Sequence, residues 1–281
     1  MSLNNSEVLT FCADDAHGAP IMMKADELGI KPSEFIDEVK DDHQKSLAKF
    51  GIEYTNYHST HSKENESLVS EIYLDAMSTG YIYKKEIEQC FDEEKQMFLA
   101  DRYIIGECPK CSAKNQYGDG CEECGATYSA TELINPISSL SETAPITKFS
   151  EHIFFDLEKA KNKLIGFLEK SSIQKPILAK LSEWLDGDLK SWDISRDAPY
   201  FGFKIPDETE KYFYVWVDAP IGYIASAANW ANQNSQSIEN LWGKDSDYEI
   251  HHFIGKDITC LLYTSDAADE GLGVDLGGRR I

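Results

Sequence analysis

Val8-Leu9-Thr10-Phe11-Cys12-Ala13-Asp14-Asp15-Ala16-His17-Gly18 begins as a short apolar run and ends in polar, turn-forming residues. Val, Thr and Phe favour a pleated backbone, so Val8 to Cys12 reads as a buried strand delivering polar groups at its C-terminal end. In open α/β sheets, ligands collect at the carboxyl ends of strands, which places Asp14, Asp15 and His17 where a site would form. As a cluster alone they read first as turn formers bonding local backbone, and then as metal ligands or an acid–base set.

Working outward, Pro20 to Leu28 predicts one helix and Pro32 to Phe50 a second, with Phe35, Ile36, Val39, Leu47 and Phe50 near helical spacing. Glu53 to Tyr57 predicts another strand. Ser62 to Ser78 repeats the helical pattern through Leu68, Val69, Ile72, Tyr73 and Met77, with Gly80 placed to stop it. From Tyr81 to about Ile134 the texture changes to short β-type runs, Tyr81 to Tyr83 and Tyr103 to Ile105, as expected of an inserted small domain. Its return leg includes Glu151 to Leu157 and two helical stretches, Glu158 to Glu169 and Lys175 to Leu185. A last α/β portion carries Tyr212 to Val217 and His251 to Ile254 as strands, with Ile221 to Trp230 as a helix between them.

The inserted region holds the strongest local signal. Cys108-Pro109-Lys110-Cys111 and Cys121-Glu122-Glu123-Cys124 are two Cys-x-x-Cys pairs within one short stretch, and four thiolates at that spacing suit one tetrahedral Zn²⁺. Gly118, Gly120 and Gly125 permit the tight turns. A closed four-sulfur site is structural, since it leaves no position for a reacting water. Two redox dithiols are the competing reading. Cys12 and Cys90 read as buried thiols in a reducing compartment.

The formal charge of -22 makes the chain as a whole repel a polyanion, so a grip on RNA would need a basic patch hidden in the average or a part outside this sequence. No window approaches a membrane span, and Met1-Ser2-Leu3-Asn4-Asn5 lacks a signal-peptide pattern, which predicts a cytoplasmic protein. Beyond Ile258 the run Thr259 to Glu270, with Cys260, and the closing Val274 to Ile281 resemble translated sequencing-adapter DNA. Residues 259–281 are therefore set aside as a non-native tail, with a natural flexible terminus as the alternative.

Six strings occur in the order found in methionyl-tRNA synthetases, a class I aminoacyl-tRNA synthetase family: Cys12 to Gly18, Tyr57-His58-Ser59-Thr60-His61-Ser62, the two cysteine knuckles, Trp192 to Gly202, Tyr214 to Tyr223, and Phe253 to Ile258. The resemblance covers about residues 7 to 258. It implies an α/β Rossmann-type nucleotide-binding fold, incomplete here and interrupted by a small zinc-binding α+β connective-peptide insertion. Residues 1–78 would be its N-terminal part with the first strand missing, 79–195 the insertion with knuckles at 108–124, and 196–258 the return to the catalytic domain. The implied reaction activates L-methionine with ATP and Mg²⁺ and transfers it to tRNA(Met).

Carried over residue by residue, Asp15 would pair with the substrate ammonium and Arg196 with its carboxylate or the nearby phosphate. Trp216, Ala219, Pro220 and Tyr223 would line the side-chain pocket, joined by His58 and Ile258, while Gly255 and Asp257 would meet the nucleotide. A homodimer through a C-terminal region outside this sequence is compatible with the resemblance.

The sequence departs from the family in lacking both a His-x-Gly-His motif and a Lys-Met-Ser-Lys-Ser loop, the two ATP-binding signatures. Activation depends on positioned cations, so the isolated chain is expected to be inactive. It is also expected to fold poorly outside the zinc insertion, with unpaired sheet edges; a protease-resistant core over all of residues 7 to 258 would overturn that. The alternative function is a zinc-ribbon module contacting RNA or protein, disfavoured by the acidic Glu107, Asp119, Glu122 and Glu123 around the knuckles.

Overall fold

The computed structural model describes residues 8–169, 174–187, 189–243 and 246–253. In chain order its strands are β1 (Phe11–Asp14), β2 (Asn56–Ser59), β3 (Ile82–Asp92), β4 (Met97–Phe98), β5 (Ile104–Glu107), β6 (Gln116–Tyr117), β7 (Ile134–Ser138), β8 (Ile146–Phe155), β9 (Trp192–Asp193), β10 (Ser195–Asp197) and β11 (Lys211–Phe213). Its helices are α1 (Ala19–Leu28), α2 (Pro32–Lys49), α3 (Lys63–Ser78), α4 (Leu157–Leu168), α5 (Lys175–Asp186), α6 (Val215–Asp218), α7 (Gly222–Gln233) and α8 (Ile238–Trp242). The chain divides into two compact units, Met1–Asp75 with Arg196–His251, and Ala76–Ser195 with His252–Ile281.

In the first unit β1 and β2 pair in parallel, Phe11 opposite Asn56 through Asp14 opposite Ser59. Parallel neighbours need a crossover, and α1 and α2 supply it. The strand begins later than Val8, which is 54% exposed, because ladder contacts start at Thr10: its carbonyl accepts from the Asn56 amide, and the Thr10 and Thr55 hydroxyls each cap the other's amide at 2.9 Å. For the same reason β2 starts at Asn56 and not at Glu53. β1 is half-buried and not sealed, with α7 packed against both strands. Ser226 on α7 donates to the Cys12 and Asn56 carbonyls at 3.1 and 3.2 Å.

The predicted strand Tyr212 to Val217 is a correction: β11 ends at Phe213 and the chain turns into α6. A β-branched run is overridden here by tertiary contacts, since the Tyr200 hydroxyl accepts from the Val215 amide at 3.2 Å and fixes the start of the turn. His251 to Phe253 likewise form no strand, and Phe253 is 89% exposed; Ile254 lies outside the described residues. Val69, Phe213, Ala225 and Ala227 are fully buried and give the first unit a core of its own.

In the second unit the predicted run Tyr103 to Ile105 is the short strand β5, whereas Tyr81 to Tyr83 opens a much longer strand, β3, paired antiparallel with β8 from Ile82 opposite Phe155 to Phe91 opposite Ile146. The charged run Lys84-Lys85-Glu86 hid the strand, because it is exposed on both faces. β4 and β9 flank that pair, and β6-β5-β7 form a separate three-stranded sheet. Gly80 ends α3 as expected, in a left-handed conformation with φ 76° and its amide on the Met77 carbonyl.

Candidate functional site

The cysteine knuckles grow out of the three-stranded sheet of the second unit. Cys108 follows β5 directly, and Cys121 lies just beyond β6. In each knuckle backbone amides aim at sulfur: Lys110 and Cys111 donate to Cys108 Sγ at 3.3 and 3.4 Å, and Cys124 donates to Cys121 Sγ at 3.4 Å. Ser112 and Gly125, at φ 62° and 67°, return their amides to the Cys108 and Cys121 carbonyls at 2.9 Å. The left-handed turn suits Gly125, which carries no Cβ to clash.

All four Sγ atoms lie within 4.8 Å of one another, with Cys111 to Cys121 at 3.5 Å and Cys108 to Cys124 at 3.9 Å. Tetrahedral sulfur ligands at a metal–sulfur distance of about 2.3 Å stand about 3.8 Å apart, whereas a disulfide would need about 2.05 Å. The donor set therefore fits one metal ion. Cys108 and Cys121 are buried while Cys111 and Cys124 are exposed, so the cluster sits at the surface of its unit.

In the first unit the C-terminal end of β1 holds the predicted acidic residues. Asp14 turns into a local network, accepting from the Tyr57 hydroxyl at 2.5 Å with His43 Nδ1 at 2.8 Å, which makes it a structural side chain. Asp15, one residue further, opens to solvent. The protein around it still strips enough hydration, with help from the nearby Asp218 charge, to push its carboxyl up to about 6. A carboxylate so disposed gains most from an incoming cation.

Tyr223, on the first turn of α7, is close enough to Asp15 for burial and then the Cys12 and Asp15 charges to raise its phenol. Ala219 and Pro220, both half-buried, bridge α6 to α7. Gly222 is required at the helix start, since a Cβ there would stand 2.8 Å from Thr60 Cγ2 and 3.5 Å from Ala13 Cβ. That contact brings α7 onto the ends of β1 and β2. Arg196 on β10 stacks its guanidinium 3.8 Å from the centre of the Tyr214 ring, and Tyr214 is tilted against Trp216 at 5.3 Å. Asp15, Arg196, Trp216, Ala219, Pro220 and Tyr223 all belong to the same compact unit.

His58, on β2 opposite Ala13, has its Nε2 3.4 Å from Glu64, and burial lowers its imidazole while Glu64 opposes the shift. Gly255, Asp257 and Ile258 lie outside the described residues.

Behind the Asp15 turn, His17 joins Asp218 and His61 in a group whose connection no motif showed. His17 Nδ1 hydrogen-bonds Asp218 Oδ2, and His17 Nε2 meets His61 Nδ1 at 2.9 Å. Phe201 and Phe203 pack edge-on to the His17 ring, at 5.4 and 4.6 Å. The signal was present: Asp218 sits in the apolar run Val215 to Ile221, and a buried acid needs a partner.

A family model described as tRNA synthetases class I (M) matches residues 1–265. A crystal structure of Mycobacterium tuberculosis methionyl-tRNA synthetase bound by methionyl-adenylate is similar with a TM-score of 0.61 at 17% identity, over 96% of this chain and 48% of that one. A second structure of that enzyme in complex with methionyl-adenylate gives a TM-score of 0.63 at 17% identity, over 97% and 48%. The likeness is one of fold, and the chain spans about half the length of the solved structures it matches.

Proposed function

The chain belongs to the class I (M) tRNA synthetase family, and from that membership we propose that it carries the amino-acid-binding part of a cytoplasmic methionine-tRNA ligase. Residues 1–78 and 196–258 are assigned to the catalytic domain and 79–195 to its connective-peptide insertion. The observation that carries the reading is the convergence of the Asp15 turn with Tyr223 and the Asp218-Ala219-Pro220 turn, remote in sequence and drawn together by the His17–Asp218 bond and by the close approach of Gly222 to Ala13 and Thr60.

In this reading Asp15 takes the ammonium of L-methionine and Arg196 its carboxylate, each charge-assisted contact contributing about 1.5–3 kcal/mol. Trp216, Ala219, Pro220 and Tyr223 surround the thioether, where ring contacts add roughly 0.3–1.5 kcal/mol. Gly255 and Asp257 are assigned to ATP, which with Mg²⁺ would give methionyl-adenylate for transfer to tRNA(Met). The metal of the four cysteines is assigned as Zn²⁺, the ion that thiolate tetrahedra favour, and it would brace the insertion without entering the reaction. The polypeptide of 281 residues is proposed not to form the adenylate alone, because neither phosphate-binding signature occurs in its sequence.

Calorimetric titration with L-methionine, L-norleucine and L-methioninol tests the pocket. L-Methionine is expected to bind best, norleucine more weakly for want of the sulfur, and methioninol more weakly for want of the carboxylate. Equal affinities across the three would overturn the reading. Methionine-dependent ATP–pyrophosphate exchange by the chain itself would overturn the proposed inactivity.

A further inference from the structure

We propose that His17 is a positioning residue for the amino-acid site: by holding Asp218, it locks the turn that carries Asp15 to the Asp218-Ala219-Pro220 turn. The inference rests on the methionine-binding reading and extends it to a side chain behind the site. His17 stands two residues after Asp15 and is 4% exposed, and Asp218 is fully buried immediately before Ala219. One carboxylate oxygen of Asp218 bonds His17 Nδ1, and the other has no hydrogen-bond partner among the described residues. The acid is therefore anchored by this imidazole, and its direction is set by where the ring stands.

The ring itself is fixed from several sides. His61 Nδ1 meets Nε2, Phe201 and Phe203 close the edges, and the amides flanking His17 are held too: Ala16 donates to Thr60 Oγ1 and Gly18 to the Phe201 carbonyl, both at 2.9 Å. Asn65 completes the brace by donating to the Thr60 and Asp218 carbonyls at 2.9 and 3.3 Å. The Asp218 carboxylate calls for a proton on His17 Nδ1, and in that tautomer Nε2 accepts from His61. Four segments remote in sequence thus meet at one imidazole, which couples the ammonium-binding carboxylate to the pocket wall.

The test compares His17→Asn, whose amide donor falls near the Nδ1 position, with His17→Gln, whose donor falls near Nε2. Both are polar amides, so a role limited to packing would not separate them in the expected order. L-Methionine affinity of the full chain is expected to survive in H17N and to weaken about tenfold in H17Q, the order expected when a buried polar group loses its partner. Equal losses, or no loss in either, would overturn the proposal. If the wild-type chain does not bind L-methionine, the pocket reading fails and amide exchange decides the inference. Faster exchange at residues 15–18 and 219–223 in H17Q but not H17N supports the brace, whereas equal exchange in the two variants, or unprotected amides in the wild type, overturns it.

Discussion

Asp15 lies within electrostatic reach of the buried Asp218, and burial together with that like charge pushes the Asp15 carboxyl up to about 6. The sign of the consequence follows. An ammonium ligand favours ionised Asp15, so below about pH 6 binding must first displace a proton, and the association constant falls by up to about tenfold per pH unit. L-Methionine affinity measured between pH 5 and 8 should be flat in the upper half and decline in the lower. Asp15→Asn should bind weakly at every pH and lose this dependence. Since ionised Asp15 is disfavoured in the free fold, the same variant should unfold at a higher temperature near pH 7.

For the cysteine cluster, one equivalent of Zn²⁺ or Co²⁺ per chain is expected, with the cobalt form showing the absorption of a tetrahedral thiolate site. Structural zinc contributes about 10–16 kcal/mol of apparent binding free energy in small domains, so a strong chelator should unfold the knuckles at neutral pH. Cys108→Ser should remove stoichiometric binding. Intact folding of residues 100–135 in the metal-free, reduced chain would count against a structural ion.

Asp92 is a buried acceptor in the second unit, taking hydrogen bonds from the Ser138 and Ser141 hydroxyls at 2.6 Å and from the Glu94 and Lys95 amides at 2.9 Å. Burial alone would raise its carboxyl, but the serine and amide donors outweigh it and bring it to about 2. Its folded value is depressed, so its contribution is complete above about pH 4 and is lost as pH falls toward 2. Asp92→Ala should cost about 3 kcal/mol by chemical denaturation, because it strands four donors.

The close approach of Gly222 to Thr60 is testable by exchange of one methyl group. Gly222→Ala should destabilise by about 1–3 kcal/mol, since the new Cβ would stand 2.8 Å from Thr60 Cγ2. Thr60→Ser removes that methyl and keeps the hydroxyl that accepts from Ala16, so the double variant should recover most of the loss. Equal unfolding midpoints for the single and double variants would show that the contact is not limiting.

The longer helices and the cysteine knuckles were legible because their signals are local: an apolar period near 3.6 residues, Pro32 at a helix start, Gly80 at a stop, and two Cys-x-x-Cys turns. Strand limits were not. Where β1 begins is set by pairing with β2, and where β11 yields to α6 is set by the Tyr200 hydroxyl, both contacts remote in sequence. The β3–β8 pair escaped because the stretch Tyr83 to Glu86, exposed on both faces, carries no alternation to read. At the candidate site the residue types were readable one by one, but the Asp218–His17–His61 chain joins three segments, and no spacing within any one of them reveals it.

The most direct test of the methionine site is a residue-resolved NMR titration of the chain with L-methionine. Chemical-shift changes are predicted at the Asp15 carboxyl, the Arg196 guanidinium, the Trp216 indole and the Tyr223 ring, with the signals of Cys108 to Cys124 undisturbed. Saturable shifts confined to the cysteine insertion, or none at millimolar L-methionine in a folded chain, would contradict it.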